Sequence, residues 1–501
     1  MPGASTLLTR TRELAKAAVA VYAGSPSAEV VAGISRRLDE PLRVAIAGRV
    51  KAGKSTLLNG LIGQELAATD AGECTRIMTW FQNGLSYRVM LHPRQGSPRQ
   101  LPFGGDGSLA DLDLGGYAPE AVDRLVVDWP AQALRAMTLI DTPGMGSVDT
   151  QLSDRARAML EPDGQHDSTA DAVIYLMRHL HGDDVSFLET FRDTPGQGTP
   201  VNTVGVLARA DEVGHSRPDA LDSAQRIATR YRLDPRVRRL CHTVIPVAGL
   251  LACAAATLRE SEYQIMARLA ALPAEDRRRL FLSTDRFITL DTRGSVDPQT
   301  RIALVQRLGF FGVRSSVAMI GEGQVHHATE LSRELLQLSG IEPLRELLIS
   351  QFAARADALK ARTAMLALDS VLQAAPPPTT ELVRGLEEMR SGAHEFAEIR
   401  LVDALRDDPT LLPPEDGADA ERLLGRDGAD PLSRLGLPSD AGNAAIRAAV
   451  LGQLARWQRA AESPLAAREA KAAARILIRT CEGMLASVDA SRAVAPPHVA
   501  R

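Results

Sequence analysis

The stretch Gly48-Arg49-Val50-Lys51-Ala52-Gly53-Lys54-Ser55 decides the fold. It fits the pattern G-x-x-x-x-G-K-[ST], whose glycines let backbone N–H groups close around phosphate oxygens. Its flanks supply the context that the pattern needs. Leu42-Arg43-Val44-Ala45-Ile46-Ala47 is a largely apolar run of strand length. Ser55-Thr56-Leu57-Leu58-Asn59 opens a helix, whose N-terminus adds partial positive charge. Lys54 is expected to reach the β- and γ-phosphates, and the Ser55 hydroxyl to bind Mg²⁺. Lysine is scarce: Lys16, Lys51, Lys54, Lys360 and Lys471 are the only lysines among 58 basic residues, so a lysine at 54 is not a product of composition.

The chain around this loop has 501 residues, enough for more than one folding unit. Its net charge of −4 gives no global basic footprint, so nucleic acid is not an expected partner. Cys74, Cys241, Cys253 and Cys481 lack metal-ligand spacing and suggest a reducing compartment. Residues 1–12 lack an apolar signal core. The longest nearly apolar run, 244–256, is too short to span a bilayer, so any membrane contact is expected to be peripheral.

Three regions are expected. Residues 1–39 carry one helix over 5–38, with Leu7, Leu14, Ala18 and Val21 on its apolar face. Residues 40–255 alternate strands and helices in an α/β pattern, with strands at 42–47, 77–81, 89–92, 125–129, 137–140, 172–177, 204–208 and 243–247. Residues 256–501 have helical periodicity. There Ile341, Leu344, Leu348, Phe352, Leu359 and Leu366 read as the core of a bundle, and the Pro-, Asp- and Gly-rich 408–440 as a long connection. The last helical region opens at Ile446 and kinks at Pro464.

Three further motifs follow the phosphate loop. Asp141-Thr142-Pro143-Gly144 succeeds the strand at 137–140; Asp141 is expected in the Mg²⁺ shell through water, and the Gly144 N–H near the γ-phosphate. Thr75, in Gly72-Glu73-Cys74-Thr75-Arg76, could offer its hydroxyl to Mg²⁺ and its backbone to the attacking water, with Thr69 and Thr79 as rivals. Ala208-Arg209-Ala210-Asp211 succeeds another strand. A carboxylate at that strand end can accept from guanine N1–H and N2–H, a pattern adenine cannot match; the bland alternative is a helix N-cap. Ala248, after the strand at 243–247, could give a backbone N–H to the guanine oxygen. The order of these motifs points to a guanine-nucleotide switch rather than a generic ATPase.

With these residues in place, the chain resembles the dynamin superfamily. Gly48 to Asn59 is similar to the bacterial dynamin-like phosphate loop, and 72–76 to the G-x-x-T-R switch. The stretch 44–81 and Ala208-Arg209-Ala210-Asp211-Glu212-Val213-Gly214 resemble the actinobacterial isoniazid-inducible branch, closest to its type C member. The motif match covers residues 44–250. The resemblance implies an α/β phosphate-loop GTPase domain, with a mostly parallel sheet flanked by helices, plus an elongated all-α neck and trunk. Residues 1–39 would be a neck helix, 40–255 the GTPase domain and 256–501 the neck and trunk bundle. It implies GTP as substrate with Mg²⁺, nucleotide-dependent pairing of heads, and membrane remodelling from the inner face of the plasma membrane in the cytoplasm. Membrane lipids and a sister dynamin-like protein are the implied partners, and envelope stress or drug tolerance the setting.

Carried over, the nucleotide set is Gly48, Arg49, Val50, Lys51, Ala52, Gly53, Lys54, Ser55, Thr56, Asp141, Gly144, Arg209, Asp211 and Ala248. The metal set is Ser55, Thr75 and Asp141, and the catalytic set Lys54, Thr75, Lys51 and Gly144. Two departures stand out. Many dynamins have glutamine and serine where this chain has Val50 and Lys51; Lys51 either supplies charge in their place or points to solvent. The usual [NT]-K-x-D becomes Ala208-Arg209-Ala210-Asp211, in which Arg209 can lay its stem and plane over the base. Two other functions fit the motifs: a GTP-gated scaffold with little turnover, and a ribosome- or RNA-associated GTPase. Phe310-Phe311 could be a membrane-insertion loop, although such a pair more often fills a helix junction, and Leu411-Leu412 is an equally poor candidate for lipid contact.

Overall fold

A computed structural model describes residues 7–67, 77–102, 109, 112–143, 170–179, 182, 184–185, 188–189, 202–290, 296–378 and 380–494. At its centre is a nine-stranded sheet: β1 (Leu42–Gly48), β2 (Met78–Asn83), β3 (Arg88–Pro93), β4 (Arg99–Leu101), β5 (Val122–Trp129), β6 (Met137–Asp141), β7 (Ala172–Met177), β8 (Thr203–Ala208) and β9 (Val244–Val247). Their spatial order is β4-β3-β5-β2-β6-β1-β7-β8-β9. The strands from β6 to β9 run parallel, whereas β2 is antiparallel to β6 and parallel to β5. All eight expected strands are present. The short β4, pairing β3 at the sheet edge, has only three residues and no periodic pattern to announce it.

Every residue of β1 is buried, because helices cover both faces. Val44 and Ile46 share one core with Leu57, Leu58 and Leu61 of the helix that follows the phosphate loop. Ala45 and Ala47 face the other core, with Tyr175, Leu207 and Ala224.

The N-terminal region is two helices, α1 (Leu7–Val21) and α2 (Ala28–Arg37), rather than one over 5–38. Gly24 sits at φ 76 in the turn between them, and Pro26 lacks the N–H that a continuing helix needs. Both pack on the helix Ala356–Ala374. Lys360 lies in that seam, its Nζ donating to the carbonyls of Leu38 and Glu40 at 2.9 Å each.

The segment after residue 255 does not all form a separate bundle. Glu260–Ala270, Pro298–Gly321 and Ala328–Leu338 share a core with Gly249–Ala256, the helix after β9. Ile341, Leu344, Leu348, Phe352 and Leu359 bury against the sheet's own core beside Val44 and Leu58. Their spacing fixes a helix with one apolar face but not the surface that face covers. Phe310 and Phe311 are buried at a bend in Pro298–Gly321, so they fill a helix junction. Leu412 is buried too, against the C-terminal helices. The expected connection 408–440 contains two helices, Pro414–Leu423 and Pro431–Leu435. Proline opens both, and the Asp430 side chain caps the second by accepting from Ser433 N at 3.0 Å. Pro464 lies in a turn separating Asn443–Glu462 from Arg468–Val494 rather than in a kink. Among the described residues no helix is long and apolar enough to cross a membrane.

Candidate nucleotide site

The phosphate loop joins β1 to α3 (Lys54–Ile62) through backbone conformations that its residues must tolerate. A Cβ at Gly48 would lie 2.7 Å from the Leu176 carbonyl of β7, so only glycine lets the two strands approach here. Gly53 has φ 99, and Lys51 adopts φ 63 although it is not glycine. The Lys51 carbonyl is held by Arg209, whose Nη2 donates to it at 3.2 Å. Lys51 and Val50 are themselves exposed.

Lys54 is buried, and its Nζ lies 3.3 Å from the carbonyl oxygens of both Gly48 and Arg49. Burial lowers its pKa, an effect that the Asp141 carboxylate opposes. At the end of β6, Asp141 Oδ2 accepts from the Ser55 hydroxyl at 2.7 Å. Burial pushes the Asp141 carboxyl up, against the Lys54 charge and the Ser55 hydrogen bond. Asp141 Oδ1 is buried without a hydrogen-bond partner. A hydroxyl and a carboxylate with one oxygen to spare are the hard donors that Mg²⁺ takes, so these two side chains fit that ion. Thr142 ties the next residue to β1, its hydroxyl donating to Ile46 O at 2.8 Å.

The base-side residues gather at the C-terminal ends of β8 and β9, where ligands of open α/β sheets bind. A cavity of about 130 Å³ lies between Gly53, Thr56 and Leu57 on one side and Asp211, Glu212 and Gly249 on the other. Asp211 is 5% exposed, and desolvation raises its carboxyl to about 6. Arg209 adopts φ 55 and donates to Glu212 at 2.9 Å. Glu212 also accepts from Arg178 at 2.6 Å. If Asp211 is the guanine acceptor expected from the sequence, only its charged form can accept from both donors, so guanine affinity should weaken as pH falls through about 6. Titrating GTP affinity from pH 8 to 5 checks this; a profile shared with Asp211→Asn would contradict it.

Most of the expected set comes together here: Gly48, Arg49, Val50, Lys51, Ala52, Gly53, Lys54, Ser55, Thr56, Asp141, Arg209 and Asp211. Ala248 does not serve as expected. Its N–H donates to Ser339 O at 2.8 Å and its side chain is fully buried, while Gly249 lines the cavity in its place. Thr79 is buried with its hydroxyl on Ile77 O at 3.3 Å, which removes that rival to Thr75. Thr75, Thr69 and Gly144 lie outside the described residues. Sequence reasoning missed Arg178 and Glu212. Their positions, just after β7 and just after Asp211, were the available signal.

Comparison with known proteins gives the family. A family model described as "50S ribosome-binding GTPase" matches residues 43–206. Isoniazid-induced protein IniC of Mycobacterium tuberculosis is 37% identical over 493 residues, 96% of this chain and 99% of that protein. Bacterial dynamin-like protein of Nostoc punctiforme is 30% identical over 121 residues, 22% of this chain and 17% of that one. A solved chain from an oligomerised bacterial dynamin pair overlaps 98% of this chain and 75% of its own, at 12% identity and a TM-score of 0.36, a likeness too loose to carry inference. With a phosphate loop, a strand-end aspartate hydrogen-bonded to its Ser55, and similarity to IniC along almost its whole length, the chain belongs to the bacterial dynamin-like GTPases.

Proposed function

We propose that this chain binds GTP with Mg²⁺, hydrolyses it to GDP and phosphate, and couples head pairing to membrane remodelling. The observation that supports the reading is that the phosphate loop bearing Lys54 and the Ser55–Asp141 hydrogen bond also lines, through Ala52 and Gly53, the cavity that Asp211 faces. Lys54 would leave the Gly48 and Arg49 carbonyls for the β- and γ-phosphates. Ser55 and Asp141 would hold the metal, Asp141 through water; bound there, Mg²⁺ neutralises charge on the phosphate oxygens. Thr75 and the Gly144 N–H would close on the γ-phosphate. Asp211 would select guanine while Arg209 covers the base. No described side chain in the site is placed as a general base, so positioning and electrostatics must supply the rate.

The exposed Val50 and Lys51 stand where many dynamins carry glutamine and serine. A lone head is therefore expected to turn over slowly, and a second head docked over the site would complete it. Membrane lipids, contacted peripherally from the cytoplasmic face, and a sister dynamin-like protein are the proposed partners. A role in envelope stress or drug tolerance is proposed on the resemblance to the isoniazid-induced proteins.

The test is GTP turnover at increasing protein concentration, with and without liposomes, and with RNA as a control. Specific activity should rise with concentration or lipid and ignore RNA. Activity independent of both would remove the coupling. Stimulation by RNA alone would favour the ribosome-associated reading, and tight GTP binding with no turnover under any condition the scaffold reading.

A further inference from the structure

The helix Pro298–Gly321 follows the last of the nucleotide motifs in the chain, yet it touches Asp211. Its course breaks at Gly309, with φ 72 and ψ 161, a region open essentially to glycine alone. A Cβ there would sit 3.2 Å from Asp211 Oδ2 and 3.9 Å from Leu250 Cδ2. The bend is held firmly. Phe310 packs its ring 6.0 Å from that of Phe287 and 6.1 Å from that of Phe281, and Phe311 is 3% exposed. Asp211 is therefore backed by backbone supplied from the helical segment, at a glycine where that segment presents no side chain. A carboxylate that must meet two donors at once tolerates little displacement, because each hydrogen bond weakens steeply with angle.

We propose that Gly309 is a positioning residue for base recognition, its bend setting where the Asp211 carboxylate stands and so how strongly guanine is preferred. This rests on the reading of Asp211 as the guanine acceptor. The consequence is that selectivity for the base is set in part by a helix that follows the GTPase domain.

The experiment compares GTP and ITP, which keeps N1–H but lacks the 2-amino group, as ligands of the full chain and of two variants. Gly309→Ala cannot hold the bend and adds a methyl against the carboxylate. It should lower GTP affinity about tenfold or more and ITP affinity much less, collapsing the ratio between them. Gly312→Ala is the control on the same helix. Its Cβ would meet Leu251 Cδ1 at 2.8 Å, so it should lower the melting temperature yet keep the wild-type ratio. Amide exchange on the wild-type chain gives a readout that needs no variant: amides 309–313 should be slowed by GTP and less by ITP. A folded Gly309→Ala chain with the wild-type ratio, equal loss of the ratio in Gly312→Ala, or exchange at 309–313 that ignores the base would each overturn the proposal. A wild-type chain that does not distinguish GTP from ITP would instead overturn the reading of Asp211.

Discussion

Lys54→Ala is expected to abolish detectable GTP turnover and to weaken nucleotide binding about a hundredfold or more. The size follows from removing the buried phosphate-loop ammonium proposed to meet the phosphates, an interaction in a water-poor site worth about 3–4 kcal/mol. The free protein should tell a different story. Burial already disfavours the charged form of Lys54, so the ammonium is held at a cost in the absence of nucleotide. Its removal should leave the melting temperature of the free chain close to wild type, while the rise caused by GTP disappears. At a hundredfold excess over Kd that rise corresponds to about 2.7 kcal/mol in the wild-type chain. Parallel thermal melts with and without GTP and Mg²⁺, alongside a phosphate-release assay, check both halves. An active Lys54→Ala enzyme would end the phosphate-loop assignment.

Asp211→Asn should exchange one base for another. In the proposed site the carboxylate would offer two acceptor oxygens to guanine N1–H and N2–H. An asparagine offers one acceptor and one NH₂ donor, which clashes with the guanine amino group but matches the oxygen at position 2 of xanthine. Two charge-assisted hydrogen bonds are at stake, so GTP affinity should fall by roughly two to three orders of magnitude while XTP affinity rises. Fold stability is not expected to suffer. Asp211 is nearly buried and its carboxyl is raised to about 6, so at neutral pH the folded chain carries a charge that burial disfavours, and the neutral amide relieves it. Competition binding with GTP, XTP and ATP measures the switch. Equal losses for all three nucleotides would show that Asp211 does not read the base.

The sheet and the phosphate end of the site were legible because short, local signals specify them. An apolar run followed by Gly48 to Ser55 is a strand, a loop and a helix start at once, and Asp141 and Asp211 each follow an apolar run directly. What stayed hidden depends on contacts distant in sequence. The stripe from Ile341 to Leu359 announced a buried face, but nothing in its periodicity says that the face lies under β1 rather than in a bundle. Ala248 had the right place after β9, yet Ser339, some ninety residues later, takes its N–H and leaves Gly249 at the cavity. The bend at Gly309 was invisible for the same reason: Phe310-Phe311 beside a glycine reads more often as a packed junction than as an exposed loop, without saying what it packs against. Only the partners Phe281 and Phe287 decide it. Arg209 stands where the usual motif carries lysine, which its sequence position shows. Its hydrogen bond to the Lys51 carbonyl, which ties the base loop to the phosphate loop, required the fold.

The most direct measurement is titration calorimetry of the purified full chain with GTP, GDP and ATP in the presence of Mg²⁺. One guanine nucleotide should bind per chain, with ATP weaker by at least about a hundredfold. No heat from GTP at millimolar excess, or equal affinity for ATP, would contradict the account.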